Sequence, residues 1–504
     1  MTVPFSAQYD NVGQVLHFGS WLSITTQGES RTSHLLAFID SSWRCPMYRL
    51  LFLVSFILGG ILATAIPRSD ISKTVALLVV FGLLSISPVL ANLTPYKKER
   101  RDAFSPMVFF PVFFFLVYGI GSILLILNND ENAKKIITLT FSGIIMYFLG
   151  NYAMSYVYAR TALLKSTIIK WDKFRLFFCI YYIVLISTLS TIFLYYQAGI
   201  PILNPFARGE AFAQVTNYVV YLIRLLPLAF FLLLIHYFLS GYPGGFSRFS
   251  VVLLFVYSFF VLLSTGSRID TFILIMVSII IYHYTVRRLP LVKFGIASAI
   301  LVILFLLYGY LRLILSAGTE SEVAFLESLA GTNPFRKFLM YIAVYFSTYS
   351  LNFSRIIDLV PDVMPHSHGR LFLRTLSTLL PGQQPLTGYI LSGYLGLRAG
   401  INPTMPGELY IDYGSPGVPI MMFIYGLIMR FFYCRIIRSP GCPTSVLIYS
   451  FCCYVIILST LVGLFSHILA WYYAFFIILM IKFFGVRCYL PEGCKYEESI
   501  SYWA

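Results

Sequence analysis

Apolar residues in this chain do not alternate with polar ones but run on, in blocks long enough to cross a bilayer. A membrane-spanning helix needs about 20 such residues. Blocks without a formal charge cover Leu50–Pro67, Thr74–Tyr96, Ala103–Asn129, Ile136–Ala159 and Leu176–Ala207. They continue through Leu225–Ser247, Phe249–Ser267, Thr271–Val286, Phe294–Leu311 and Tyr413–Met429. Ser439–Ile481 runs 43 residues without a charge, enough for two spans joined by a tight turn near Gly463–His467. The pattern predicts an all-α integral membrane protein of about 12 transmembrane helices, with one large outer loop that contains interfacial helices. Its expected divisions are an N-terminal segment (1–47), helices 1–9 (48–315), the large loop (316–406), helices 10–12 (407–486) and a tail (487–504).

Composition sharpens this picture. With 11% charged and 58% hydrophobic residues, a soluble core is no serious rival. Short cytoplasmic loops collect Lys and Arg. Loops after spans 2, 4, 6, 8 and 10 carry sixteen such cations, from Lys97, Lys98, Arg100 and Arg101 to Arg430, Arg435 and Arg438. Loops after spans 1, 3, 5, 7 and 11 carry six: Arg68, Lys73, Lys134, Lys135, Arg208 and Arg268. The bias predicts cytoplasmic termini and makes the net charge of +15 an orientation signal, not a nucleic-acid footprint. The first 45 residues are mixed and polar, with no apolar core or cleavage site of a removable signal peptide. None of the eight cysteines falls in an expected outer loop, so structural disulfides are not expected.

The outer face carries the unusual residues. The connection from Ser316 to about Pro406 is long, and loops of that length are usually functional or disordered. Within it, Phe338–Ser354 is 17 residues without a charge. Its Ser, Thr, Asn and Tyr content, and the reversal that a further span would impose downstream, favour a helix at the outer interface. Four arginines gather at the same boundary. Arg208 follows span 5, and Arg224 lies about two turns into span 6 if that helix starts near Asn217. Arg268 sits in the turn Ser264-Thr265-Gly266-Ser267-Arg268, and Arg312 closes span 9. Their placement also allows interfacial anchors, or partners for Glu210 and Asp270. Against the positive-inside trend, an outward set of guanidinium forks suits an anionic lipid headgroup such as a pyrophosphate.

Several segments together carry a resemblance. They are Gly199-Ile200-Pro201-Ile202 with Ala207-Arg208 and Glu210, then Ser264 to Arg268, then Gly309-Tyr310-Leu311-Arg312. Leu379-Leu380-Pro381-Gly382 and the run from Pro403 to Gly414 complete the set. In this order, within a many-span chain, they resemble the bacterial oligosaccharide repeat-unit (O-antigen) polymerases, over roughly residues 45–485. The resemblance implies a glycosyltransferase of the inner membrane. Its donor would be a glycan on undecaprenyl pyrophosphate and its acceptor an incoming lipid-linked repeat unit, with a chain-length co-polymerase as a possible partner.

Under that implication Arg208, Arg268 and Arg312 would hold the pyrophosphates, Arg224 would line the wall, and the acceptor hydroxyl would need a base or orienter. Candidates are Glu408 and His368, with His366, Asp412 and Arg374 behind them. Glu408 is equally a helix-start carboxylate, and the histidines read first as solvated loop residues. No Asp-x-Asp pair, P-loop or dinucleotide fingerprint occurs in the chain, so no cofactor and no metal are expected. A ligase that passes finished polymer to another acceptor is a rival within the same chemistry. A flippase or transporter is the rival from another class, although no internal duplication is evident.

Overall fold

A membrane interior offers backbone amides no water, so apolar segments close their hydrogen bonds within helices. The computed structural model describes residues 71–93, 102–160, 167–201, 217–241, 244–265, 268–315, 333–371, 387–396, 401–439, 441–463 and 468–489. The described residues are helical apart from turns and one short ribbon. In chain order the helices are α1 (Ile71–Leu93), α2 (Pro106–Leu127), α3 (Ala133–Arg160), α4 (Lys173–Ala198), α5 (Asn217–Ile223), α6 (Leu226–Leu239) and α7 (Gly244–Ser264). They continue as α8 (Arg268–Thr285), α9 (Leu291–Leu315), α10 (Pro334–Leu359), α11 (Thr387–Tyr394), α12 (Met405–Arg438), α13 (Pro443–Val462) and α14 (Ile468–Phe484).

Eight helices among the described residues are long and apolar enough to cross a membrane, and α1, α8 and α14 hold shorter apolar stretches. The chain is a multi-pass membrane protein. Each of these helices falls on one of the apolar blocks of the sequence; the first block, Leu50–Pro67, lies outside the described residues. The ribbon is an addition to the expected all-α pattern. Strands β1 (Thr167–Trp171) and β2 (Gly485–Tyr489) pair antiparallel, with Trp171 opposite Gly485. The Trp171 indole N–H donates to Thr444 Oγ1 at 3.0 Å, which ties the ribbon to the start of α13.

Helix starts follow local chemistry. Asp172 caps α4 by accepting from the Arg175 N–H at 2.8 Å. Asn333 caps α10 through the amides of Phe335 and Arg336, and a proline follows it in the first turn. The core is built around α13, buried along almost its whole length, with α12, α8 and α6 packed beside it and α3 packed on α12. Helices in lipid associate by close packing, which small residues permit. A Cβ on Gly150 would stand 2.1 Å from the Phe423 carbonyl, and one on Gly426 would stand 2.2 Å from the Tyr147 carbonyl. Larger residues at either position would force α3 and α12 apart.

α10 contains the Phe338–Ser354 stretch, and it is a strongly amphipathic helix. Its buried face carries Ser350, Asn352, Ser354 and Ile356 beside Phe353. Those hydroxyls are matched: Ser122 Oγ donates to Ser350 Oγ at 3.3 Å, and Ser354 Oγ donates to the Asp130 carboxylate at 3.1 Å. α10 thus seats on the end of α2 and on the turn that leads into α3, the end of the bundle that the charge bias places outside.

Candidate functional site

α12 shows why its sequence positions a site. Thr404 caps it, accepting from the Gly407 N–H at 3.4 Å, and prolines follow at 406, 416 and 419. The helix breaks at Gly414, whose φ of 68° suits a residue without a Cβ. Pro416 has no N–H to offer the Asp412 carbonyl, so the chain must satisfy it from elsewhere. The segment around 366–369 does this. Ser367 N–H donates to the Ile411 carbonyl and His368 N–H to the Asp412 carbonyl, both at 3.0 Å. The Asp412 carboxylate, 1% exposed, accepts from the Gly369 N–H at 3.1 Å and from the Ser367 hydroxyl.

This arrangement separates the two histidines. His366 Nδ1 lies 3.2 Å from the Ile411 carbonyl, so it carries the proton, and its ring packs over Gly414. His366 is a structural histidine. His368 has a left-handed backbone with φ of 49°, and its peptide N–H is anchored. His368 is exposed, and its ring makes no hydrogen bond among the described residues.

Glu408 sits in the first turn of α12, one helical turn before Asp412, so the histidine segment and Glu408 share one neighbourhood. The sequence offers Glu408 as a base or as a helix-start carboxylate, and its side chain is fully buried. The carboxyl rests on Gly463, the residue that ends α13 with φ of 103°; a Cβ there would lie 2.5 Å from the Glu408 Cδ. Beside it, the Tyr118 hydroxyl donates to the Thr460 carbonyl at 2.7 Å. Lys135 Nζ reaches the Tyr410 hydroxyl at 2.8 Å, which adds a cation to the same end.

Arg224 occupies the break between α5 and α6. α5 begins at Asn217, so this arginine stands two turns in, as the sequence suggests. Pro227 withholds an N–H from Ile223, and Leu228 N–H bonds Leu225 instead of Arg224. The freed Arg224 carbonyl accepts from the Tyr473 hydroxyl. Its Nε lies 3.0 Å from Asp270 Oδ2, the ion pair that the sequence left open as an alternative. Asp270 is two residues past Arg268, the first residue of α8, so the pair ties Arg224 to the helix start that carries Arg268. The side chains of Arg268 and Arg312 lie outside the described residues, as does the whole of Arg208. Arg312 belongs to the last turn of α9, where the Tyr310 ring packs on Phe338 and Tyr341 of α10.

The two clusters lie along one helix. Tyr473 and Tyr454 flank the Arg224–Asp270 pair, and Gly463 underlies Glu408. Tyr454 and Gly463 are both on α13 or at its end, a rise of about 13 Å apart. Among the described residues no three of His, Cys, Asp or Glu come together as metal ligands. A family model described as "Putative O-antigen polymerase" matches residues 102–473, most of the chain. The chain belongs to the O-antigen polymerase family. That family points to polymerisation of surface polysaccharide and to lipid-linked oligosaccharides as substrates. No curated protein and no solved structure matches the chain.

Sequence reasoning placed Asp412 behind Glu408 and His368 and did not single out Ser367; the side chains of Asp412 and Ser367 tie this segment to the broken helix. Pro416, four residues beyond Asp412, was the available signal, because it marks an orphaned carbonyl that something must cap.

Proposed function

We propose that this O-antigen polymerase extends its polymer by transferring the growing glycan from undecaprenyl pyrophosphate onto an incoming lipid-linked repeat unit at the outer leaflet. The acceptor hydroxyl attacks the anomeric carbon of the donor. The anomeric C–O bond to phosphate breaks, and undecaprenyl pyrophosphate leaves with the electron pair. The hydroxyl proton passes to a base. The observation that carries this reading is the family match across nearly all of the bundle.

The chemistry divides between the two clusters. Arg208, Arg268 and Arg312, with Arg224 on the wall, would stabilise the charge that grows on the leaving pyrophosphate; no metal is needed in this scheme. His368 or Glu408 would take or orient the acceptor proton. The exposed ring of His368 favours it as the base, and the burial of Glu408 favours a positioning role. The topology that goes with this function has 12 spans in the inner membrane and both termini in the cytoplasm. Residues 316–406 form the outer loop, and α10 lies at the interface. A chain-length co-polymerase would set polymer size.

The test is incubation of purified protein with defined lipid-linked repeat units. A ladder of longer products without added metal is expected; unchanged substrate with active controls would overturn the reading. Cysteines placed at positions 100 and 290 should label from the cytoplasm and one at 390 from outside. A deletion strain should leave single repeat units on the surface acceptor. Unattached lipid-linked polymer would instead mean a ligase, and units trapped inside would mean a flippase.

A further inference from the structure

The Arg224–Asp270 pair is one-sided. Asp270 Oδ2 meets the guanidinium at Nε, 3.0 Å away. The ion pair is made through Nε, and the Arg224 side chain is 23% exposed. A carboxylate that served only to neutralise this arginine would favour the two-pronged contact that guanidinium and carboxylate planes allow. Here the contact is at Nε. The arginine is also held from its backbone side, because Tyr473 donates to its carbonyl at the helix break. Asp270 lines a cavity of about 30 Å³ whose other walls are mostly apolar, with Pro227, Phe231, Val277 and Phe451 beside Tyr454 and Tyr473. These apolar walls keep Asp270 from full solvation, which strengthens its hold on Nε.

We infer that Asp270 is a positioning residue: it grips Arg224 by Nε so that both terminal amino groups point at the phosphate oxygens of the lipid-linked donor. This rests on the pyrophosphate reading of the site and adds the residue that orients its wall arginine. The requirement on position 270 is an acceptor for the Nε proton, not a negative charge. A full charge there opposes an arriving anion, whereas an amide oxygen would orient the fork without that repulsion.

Full-length protein in lipid nanodiscs should be titrated with inorganic pyrophosphate, with each variant's fold checked by thermal unfolding. Arg224→Ala is expected to weaken binding about tenfold. Asp270→Leu, similar in shape but without an acceptor, should weaken it by a comparable factor, and Asp270→Asn should stay within about twofold of the parent. If the leucine variant does not fold, Asp270→Ser replaces it, since its hydroxyl is too short to reach Nε. Tighter binding by Asp270→Leu would mean that the carboxylate masks the arginine, and equal losses in the Leu and Asn variants would mean that charge alone matters; either overturns the inference. If Arg224→Ala and Arg268→Ala both bind as the parent does, the pyrophosphate reading itself fails.

Discussion

Two acid–base pairs stand at opposite ends of this bundle, and they are finished differently. At the end that the charge bias assigns to the cytoplasm, Asp102 is 3% exposed and every approach to it is filled. Oδ1 accepts from the Phe104 N–H at 2.9 Å and faces His283 Nε2 at 3.2 Å. Oδ2 accepts from the hydroxyls of Tyr284 at 2.8 Å and Tyr433 at 3.0 Å. His283 is itself fixed, because its Nδ1 accepts from the Leu289 N–H at 3.0 Å. This closed network joins the segment before α2 to α8 and α12. At the other end, Asp270 holds Arg224 at Nε, 3.0 Å away, and the arginine side chain stays 23% exposed. A buried polar cluster specifies the packing around it, whereas a partly exposed one is placed to receive something.

The largest expected effect comes from opening the closed pair. Asp102→Ala would leave His283 and two tyrosine hydroxyls buried without an acceptor, at a cost of about 3–5 kcal/mol. Loss of the protein from membranes, read by immunoblot and thermal unfolding, is the outcome that supports the contrast; normal levels would contradict it. The network also has a pH signature. Burial raises the Asp102 carboxyl, but the bonds from His283 and Tyr284 and the nearby Arg288 outweigh it and hold the group below the ordinary carboxylate range. A carboxyl depressed on folding contributes stability that is present above its unfolded pKa and lost as the pH falls through its folded one. Melting temperature in detergent should therefore fall on acidification, and less steeply in Asp102→Asn.

The open end should respond in activity instead of stability. Arg268→Lys keeps the charge but loses the fork, and polymer should fall about a hundredfold with protein levels unchanged. Wild-type polymer in both Arg208→Ala and Arg268→Ala strains would remove the clamp.

Next in size is the choice between the two candidate bases. His368→Ala should lower polymer about a hundredfold if its ring takes the proton. Glu408→Gln should lower it less, because the amide can still pack against Gly463. The reverse order would make the carboxylate the base, and no loss in either would leave catalysis to the arginines.

The comparison also shows what the sequence could and could not reveal. The spans were legible because an uninterrupted apolar run in a bilayer has few alternatives to a helix. α10 was legible as a helix from its charge-free run, and its Ser, Thr and Asn content set it apart from the spans. Position along the chain says nothing of which side chains meet, so Asp102 and His283 carried no sign of their network. Likewise, Arg224 and Asp270 could be named as possible partners but not distinguished from anchors. The burial of Glu408 was equally hidden, because it depends on Gly463, 55 residues further along the chain. The β1–β2 ribbon was missed because each strand is five residues long and abuts a helix.

A smaller effect is expected at Gly463. Alanine there would adopt a left-handed backbone and press its methyl group into the Glu408 carboxyl, a strain of about 1–3 kcal/mol. Thermal unfolding should record a modest loss, with polymer reduced to the extent that Glu408 positions the acceptor. A variant as stable and active as the parent would show that α13 can shift its end freely.

The smallest expected effect tests whether the histidine segment must be held in place. Asp412→Ala removes the acceptor for the Gly369 amide and the Ser367 hydroxyl, yet the backbone bonds from Ser367 and His368 to the broken helix remain. The net cost is about 1–2 kcal/mol, too little to unfold a bundle of this size. If His368 acts on the acceptor, the loosened ring should slow polymerisation several-fold while binding of the lipid-linked donor is unchanged, and Asp412→Asn, which still accepts both bonds, should recover most of the rate. Equal defects in the Ala and Asn variants would point to the negative charge of Asp412 instead, and would move it from a support of the segment to a participant in the reaction.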